Sequence, residues 1–322
     1  MFETPVALLI FNRPEQTRRV FAEVARAKPR RLLVVADGPR ADRPGEAEAC
    51  RETRSIVQSV GWDCEVLTNF AETNMGCRER VASGISWVFE QAEEAVILED
   101  DCVPHPSFFP YCAELLARYR EDERVMMVSG DNFQEGRERT PHSYYFSCLT
   151  HIWGWASWRR AWRHYDVGMG LWPELRGGSW LADALGDAAA AEHLRASFDR
   201  VYAGEIDTWD FQWMFACLAQ SGLAVLPSVN LVTNIGWGEN ATHTKQEGGE
   251  IADLPAFEMT FPLRHPAAVT RHYEADRHTF AKLWTGAPNP GLLGRLLRKA
   301  RSLAALPARG ALIQPRAKEG RH

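Results

Sequence analysis

The chain has 322 residues, 45% of them hydrophobic and 25% charged, enough to bury one or two full cores and too apolar for a disordered chain. Its 42 acidic residues outnumber 37 Lys and Arg, for a formal charge of -5, so the whole-chain basic excess of a nucleic-acid binder is missing and any attraction to phosphate has to be local. Seven cysteines without a C-x-x-C pair fit neither a disulfide framework nor a zinc ribbon and point to a reducing cytosol.

The N-terminus, Met1 to Pro5, carries no basic or apolar export region, and the run Val6 to Phe11 is too short to span a bilayer, so no export signal or transmembrane helix is expected. That run, VALLIF, is continuously apolar, as in a strand buried on both faces. Asn12-Arg13-Pro14-Glu15 then opens a helix with proline in its first turn. The unit repeats. Leu32 to Ala36 runs into Asp37-Gly38-Pro39. Cys64 to Thr68 precedes a helix from about Arg78 to Ala92. Ala95 to Leu98 ends in Glu99-Asp100-Asp101, and Val125 to Ser129 follows a helix over Pro106 to Tyr119. Strands alternating with such helices predict an α/β fold with a mostly parallel sheet covered on both faces. Ligands in such sheets collect beyond the carboxyl ends of the strands, where Arg13, Asp37, Asn69 and the acid triplet all lie. Beyond about Tyr144 the pattern changes, and eight of the twelve tryptophans fall between Trp153 and Trp213. The chain divides at 1–143, 144–285 and 286–322, the last a basic helix and tail.

Three consecutive acids at a strand end make a hard-oxygen site suited to Mg²⁺ or Mn²⁺ on a diphosphate, or else a solvated acidic turn. Asp37 reads equally as an acceptor for a base or ribose and as an Asp-Gly-Pro turn former. Arg13, a cation on a helix's first turn, calls for an anion nearby. Between strand and helix, the loop with Asn74, Gly76, Arg78 and Arg80 offers free N–H groups and guanidinium forks to an anion, and Asn74 and Arg78 are taken as its binding residues. Asp207-Thr208-Trp209-Asp210 precedes the helical run Phe211 to Ala219, where Asp210 is either a general base or part of a helix cap. Trp153, Trp155 and Trp209 either stack on a sugar or fill the core.

The stretch Ala95 to Asn132 resembles the metal-binding core of the N-acetylglucosaminyltransferase I family, within the GT-A nucleotide-diphospho-sugar transferases, with Glu99-Asp100-Asp101 as that family's E-D-D form of the D-x-D motif. Phe11-Asn12-Arg13, Asp37, Gly154-Trp155 and Thr208 to Phe215 extend the resemblance. It departs at Trp209-Asp210-Phe211-Gln212-Trp213-Met214, where the family reads W-D-D-W-M. The resemblance implies a GT-A fold with Asp101 ligating Mn²⁺ or Mg²⁺ and with Glu99, Asp100, Arg13 and Asp37 addressing the nucleotide-sugar. Asp210 would be the base, with Asp207 the alternative. A glycine-rich loop, Asn234 to His243, resembles the family's donor-closing loop and brings Thr242 and His243 to the donor. Together these imply a metal-dependent inverting glycosyltransferase using a nucleotide-sugar, a UDP-sugar first among them, on a glycan or lipid-linked glycan in bacterial surface polysaccharide synthesis. The rivals are a sugar-nucleotide pyrophosphorylase, although Val6 to Glu15 lacks that enzyme's glycine-rich phosphate loop, and a non-catalytic membrane-peripheral carbohydrate-binding protein.

Independently, Leu292, Leu293, Leu296, Leu297, Ala300, Leu303 and Ala304 segregate from Arg295, Arg298, Lys299 and Arg301 on a helical wheel. That is a basic amphipathic helix of the kind that lies on an anionic leaflet, unless it docks on the protein's own core. The expected location is the cytoplasm, on the inner face of the membrane.

Overall fold

The computed structural model describes residues 1–236 and 253–285, of which those up to 280 belong to one compact unit. Its strands are β1 (Val6–Ile10), β2 (Arg31–Ala36), β3 (Glu65–Phe70), β4 (Glu94–Glu99), β5 (Cys102–Pro104), β6 (Val125–Ser129), β7 (Tyr144–Ser147), β8 (Trp155–Trp158), β9 (Leu223–Pro227) and β10 (Val232–Asn234). The helices are α1 (Pro14–Ala27), α2 (Glu46–Gln58), α3 (Cys77–Gln91), α4 (Phe108–Tyr119), α5 (Arg159–Trp162), α6 (Trp172–Leu175), α7 (Trp180–Leu185), α8 (Ala188–Tyr202), α9 (Asp210–Ala219) and α10 (Tyr273–Phe280). From the second unit, one π-helical turn, Ala281–Thr285, is described.

Eight strands form one sheet in the order β3-β2-β1-β4-β8-β6-β9-β7, and β5 pairs with β10 in a small antiparallel ribbon. β1 to β4 are mutually parallel, β6 and β9 share their direction, and β8 and β7 run against them. This is the expected α/β class with a mostly parallel, helix-flanked sheet. Alternation along each strand feeds two cores. Val6, Leu8, Ile10, Leu32 and Val34 point to the face covered by α1 and α4, where Val20, Phe21, Val24 and Leu115 pack. Ala7, Leu9, Leu33 and Val35 point to the other, against Ile85, Val88 and Phe89 of α3 and the tryptophans of the 155–213 region. α3 approaches so closely that a Cβ on Gly84 would lie 2.4 Å from a methyl of Val35. After β1 the chain steps outward to β2 and β3, then returns to the opposite side of β1 as β4. That reversal opens a crevice beyond the carboxyl ends of β1 and β4.

The long apolar runs end within two residues of where the sequence puts them. The aromatic region holds more regular structure than its periodicity suggested, because β7 and β8 are four residues long and buried throughout. No alternation of polar and apolar residues survives in such strands. No helix among the described residues is long and apolar enough to cross a membrane. Residues 286–322, including the basic amphipathic segment, and Thr242 and His243 lie outside the described residues.

Candidate functional site

A cavity of about 1300 Å³ occupies the crevice, lined from the ends of β1, β2 and β4, the first turn of α3, the 152–153 loop and the segment entering α9. Glu99 closes β4, and Asp100 and Asp101 form the turn into β5. The Phe11 N–H donates to Asp100 Oδ2 at 3.1 Å. Arg13 Nη1 lies 3.4 Å from Asp100 Oδ1 and 2.7 Å from Asp101 Oδ2. The far side of the turn is held by the β5–β10 ribbon, from which Ile235 N–H donates to the Asp101 carbonyl at 2.8 Å. Gly236 is needed there, since a Cβ would stand 2.0 Å from Asp101 Oδ2. Burial first, and then the neighbouring acids, push Glu99 well above the ordinary carboxylate range. Burial likewise raises Asp100, while Arg13 pulls it back.

One guanidinium among three carboxyls leaves the cluster short of positive charge if all are ionised, which suits a hard divalent cation. Among the described residues no three metal-ligating side chains converge. The donor set therefore fits a cation held by Asp101 and completed by ligand oxygens and water, the mode usual for Mg²⁺ beside phosphates.

Two strands away, Asp37 follows β2 and is 7% exposed. Its Oδ1 accepts the N–H groups of Gly38 (2.8 Å) and Met75 (2.9 Å), and its Oδ2 accepts Asn74 Nδ2 (2.8 Å). The turn-forming and site-forming readings thus coincide: the carboxylate latches the 74–75 loop while facing the cavity. Burial raises the Asp37 pKa, opposed by those backbone donors. Arg80, 6% exposed, also lines the cavity. Its Nε donates to the Ala36 carbonyl at 3.2 Å and its Nη2 to the carbonyl (2.5 Å) and Oδ1 (3.0 Å) of Asn69. Burial lowers its pKa, and no carboxylate pairs with it directly.

On the opposite wall, Asp210 is the first residue of α9. Thr208 Oγ1 donates to Asp210 Oδ1, and Tyr165 OH donates to the Trp209 carbonyl at 3.2 Å. Asp207 reaches away from α9: its carboxylate accepts the N–H groups of Cys77 (3.2 Å) and Arg78 (3.1 Å), the free donors of the first turn of α3. Gly76, at φ +82°, leaves room for this approach. Trp209 is among the cavity's lining residues but only 3% exposed, and it stacks on Trp155, ring centroids 5.8 Å apart and planes at 20°. Trp153 lines the cavity as well, its N–H donating at 2.9 Å to Oδ2 of buried Asp131.

No protein-family model matches the chain, and no curated protein does. Among solved structures, a galactosyltransferase, LgtC, in complex with donor and acceptor sugar analogues is 10% identical at a TM-score of 0.36, the match covering 89% of this chain and 98% of that one. A 4-diphosphocytidyl-2C-methyl-D-erythritol synthase from Anaerococcus prevotii is 10% identical at a TM-score of 0.35, covering 70% of this chain and 89% of that one. Similarity this distant leaves the chemistry to the cavity's own residues.

Of the residues singled out from sequence, Arg13, Asp37, Asn74, Glu99, Asp100, Asp101, Trp153, Asp207, Trp209 and Asp210 all line one cavity. Two do not. Trp155 is fully buried in the aromatic core. The Arg78 side chain turns outward to Glu79, 3.1 Å away. The inward stripe of α3 runs 77, 80, 81, 84, 85, 88, one face of a 3.6-residue helix, so Arg80 takes the inward place that the sequence reading gave to Arg78. Counting one turn back from Gly84, the glycine inside the helix that packs on β2, reaches it.

Proposed function

We propose that the chain is an inverting glycosyltransferase that moves a sugar from a nucleotide-sugar, with UDP-sugars the first donors to test, onto a hydroxyl of a glycan acceptor. The observation that carries this reading is the meeting of two groups of acids from different elements in one cavity: Glu99–Asp101 with Arg13 on one wall, and Asp210 on the other. A diphosphate leaving group suits the first wall and an acceptor hydroxyl the second. Asp210 accepts the hydroxyl proton as the oxygen attacks the anomeric carbon. The new glycosidic bond forms opposite the breaking bond to phosphate, whose electron pair departs with the nucleoside diphosphate, so the anomeric configuration inverts. Arg13 holds the phosphate end, Asp37 and Asn74 address the nucleoside, and Trp153 offers an apolar face to an acceptor sugar, with buried Trp209 behind the site. Mn²⁺ or Mg²⁺, held by Asp101, would neutralise the leaving diphosphate.

The acceptor we favour is a lipid-linked glycan at the inner face of the membrane, on the strength of the basic, leucine-segregated sequence at 292–304. Truncation after Pro290 should abolish salt-sensitive sedimentation with anionic liposomes while preserving transfer to a soluble acceptor. The decisive assay for the activity itself is nucleoside diphosphate release from a panel of nucleotide-sugars, with and without Mn²⁺. Turnover of at least one donor, dependent on Asp210, is the expected result. If nucleotide-sugars bind and none is turned over with any glycan acceptor, the protein is a binding module and the transferase reading fails.

A further inference from the structure

The proposed base is held by a residue of its own segment. Thr208 is buried at the cavity wall two residues before Asp210, and its Oγ1 donates to Asp210 Oδ1. A hydroxyl beside a helix start ordinarily accepts a backbone N–H of the first turn. Here Trp209, the N-cap of α9, makes no side-chain cap bond, and Thr208 gives its single O–H proton to a carboxylate. Asp210 Oδ2, by contrast, accepts from no described residue.

The frame behind the pair fixes where the two side chains meet. The Thr208 carbonyl accepts Nε2 of buried Gln212 at 2.7 Å. The Trp209 carbonyl accepts the Tyr165 hydroxyl at 3.2 Å, and the Tyr165 ring lies flat on Trp162, centroids 4.1 Å apart and planes at 8°. Trp209 itself stacks on Trp155. Backbone on either side of the 208–209 step is thus tied to side chains of the packed aromatic wall. On a fixed backbone a β-branched threonine has few rotamers, so its hydroxyl arrives already aimed.

We infer that Thr208 is a positioning residue for the proton transfer: by holding Oδ1 of Asp210 it turns Oδ2 toward the acceptor hydroxyl. This rests on the reading of Asp210 as the base and extends it to the group that prepares it. The proton passes to Oδ2 as the hydroxyl oxygen bonds to the anomeric carbon, and the electron pair of the breaking sugar–phosphate bond leaves with the nucleoside diphosphate. Thr208 itself gains and loses nothing. A hydrogen bond to the ionised form lowers a carboxyl's pKa, so removing it raises that pKa, by about one unit for a single bond to a charged group. The titratable groups around Asp210 are Asp207 on its own segment, Cys77 of α3, Glu99 of β4 and Tyr165, and burial raises the last three.

The test has two arms, both on the full chain. One titrates the Asp210 carboxyl by ¹³C NMR, its signal assigned by its loss in Asp210→Asn. The other measures kcat against pH for UDP release, with water as acceptor, from UDP-glucose, UDP-galactose and UDP-N-acetylglucosamine with Mn²⁺. Thr208→Val keeps the shape and removes the hydroxyl. It should raise the Asp210 pKa by about one unit, move the acid limb of kcat up with it and lower the plateau about tenfold, with KM unchanged. Thr208→Ser should restore both. A folded Thr208→Val protein with the wild-type pKa and kcat overturns the inference, as does a Thr208→Ser protein as impaired as the valine variant. Thr208→Ala stands in if Thr208→Val does not fold, and the NMR arm decides if none of the three donors is turned over. The underlying reading fails separately: an Asp210→Asn protein with undiminished kcat removes the base and Thr208's role with it, whereas an inactive Asp210→Asn beside an unaltered Thr208→Val removes Thr208's role alone.

Discussion

The two walls of the cavity are built on different principles. On the wall of Asp37 and the acid triplet nearly every polar group is engaged: Asp100 by Phe11 and Arg13, Asp37 by Gly38, Asn74 and Met75, and Glu46 by Asn12 and Arg40. Across the cavity the order is aromatic. Trp155, Trp162, Trp209 and Trp213 pack on one another, and the indole nitrogens of Trp155 and Trp213 are buried without partners, as are Asp131 Oδ1 and both ring nitrogens of His151 near Phe133. A wall of interlocked hydrogen bonds fixes charge in advance, as the proposed diphosphate would demand. A wall of packed rings fixes shape, and it tolerates orphaned polar atoms only because contact area compensates for them.

The largest effect expected from this contrast is on turnover. Asp210→Asn should lower kcat by about 10² to 10⁴ while leaving donor affinity nearly unchanged, measured by nucleoside diphosphate release and calorimetry. A kcat within a few-fold of wild type removes the base from the aromatic wall. Next comes the charged wall, where Asp101→Asn should weaken Mn²⁺-dependent UDP binding by about 10²-fold, the order of losing one partner of a buried charge contact. A circular dichroism spectrum like that of wild type would show that the fold is kept. Equal affinity would shift the cation away from Asp101.

Acid should expose the unpartnered atoms of the aromatic wall. Burial pulls His151 down to about 3, below the ordinary value near 6.5. Its contribution is fully present above about pH 6.5 and is lost as pH falls toward 3, because the unfolded chain binds a proton that the folded one refuses, at about 1.4 kcal/mol per pH unit. His151→Phe should flatten the decline in unfolding free energy between pH 6 and 4, and an unchanged slope would mean that the ring is hydrated and charged in the fold. Smallest is Asp207→Ala, expected to remove about 1 kcal/mol of stability as a lost helix cap and to keep kcat within tenfold of wild type. A fall as deep as that of Asp210→Asn would transfer the base role to Asp207.

The sequence disclosed the charged wall far better than the aromatic one, for a physical reason. A strand buried on both faces is an unbroken apolar run, and the polar residue that stops it marks a sheet end, so Asp37 and Glu99–Asp101 were legible one by one. Distinguishing Trp153, at the cavity, from Trp155, in the core, depends on Gly154 at φ +72° turning the chain between them, and nothing in the letters H-I-W-G-W fixes that turn. Asp207 and Asp210 were both visible as acids near a helix start. What could not be read was that Asp207 serves a different helix, 129 residues earlier in the chain.

That long-range cap has a consequence for how the walls communicate. Asp207, whose carboxylate is spent on two backbone amides, fastens the segment bearing the proposed base to the helix bearing Arg80. Were the proposed nucleotide to shift α3, Asp207 is the contact through which that shift would reach Asp210, and double-mutant cycles pairing Asp207→Ala with Arg80→Gln should then depart from additivity in turnover even though the two side chains belong to opposite walls.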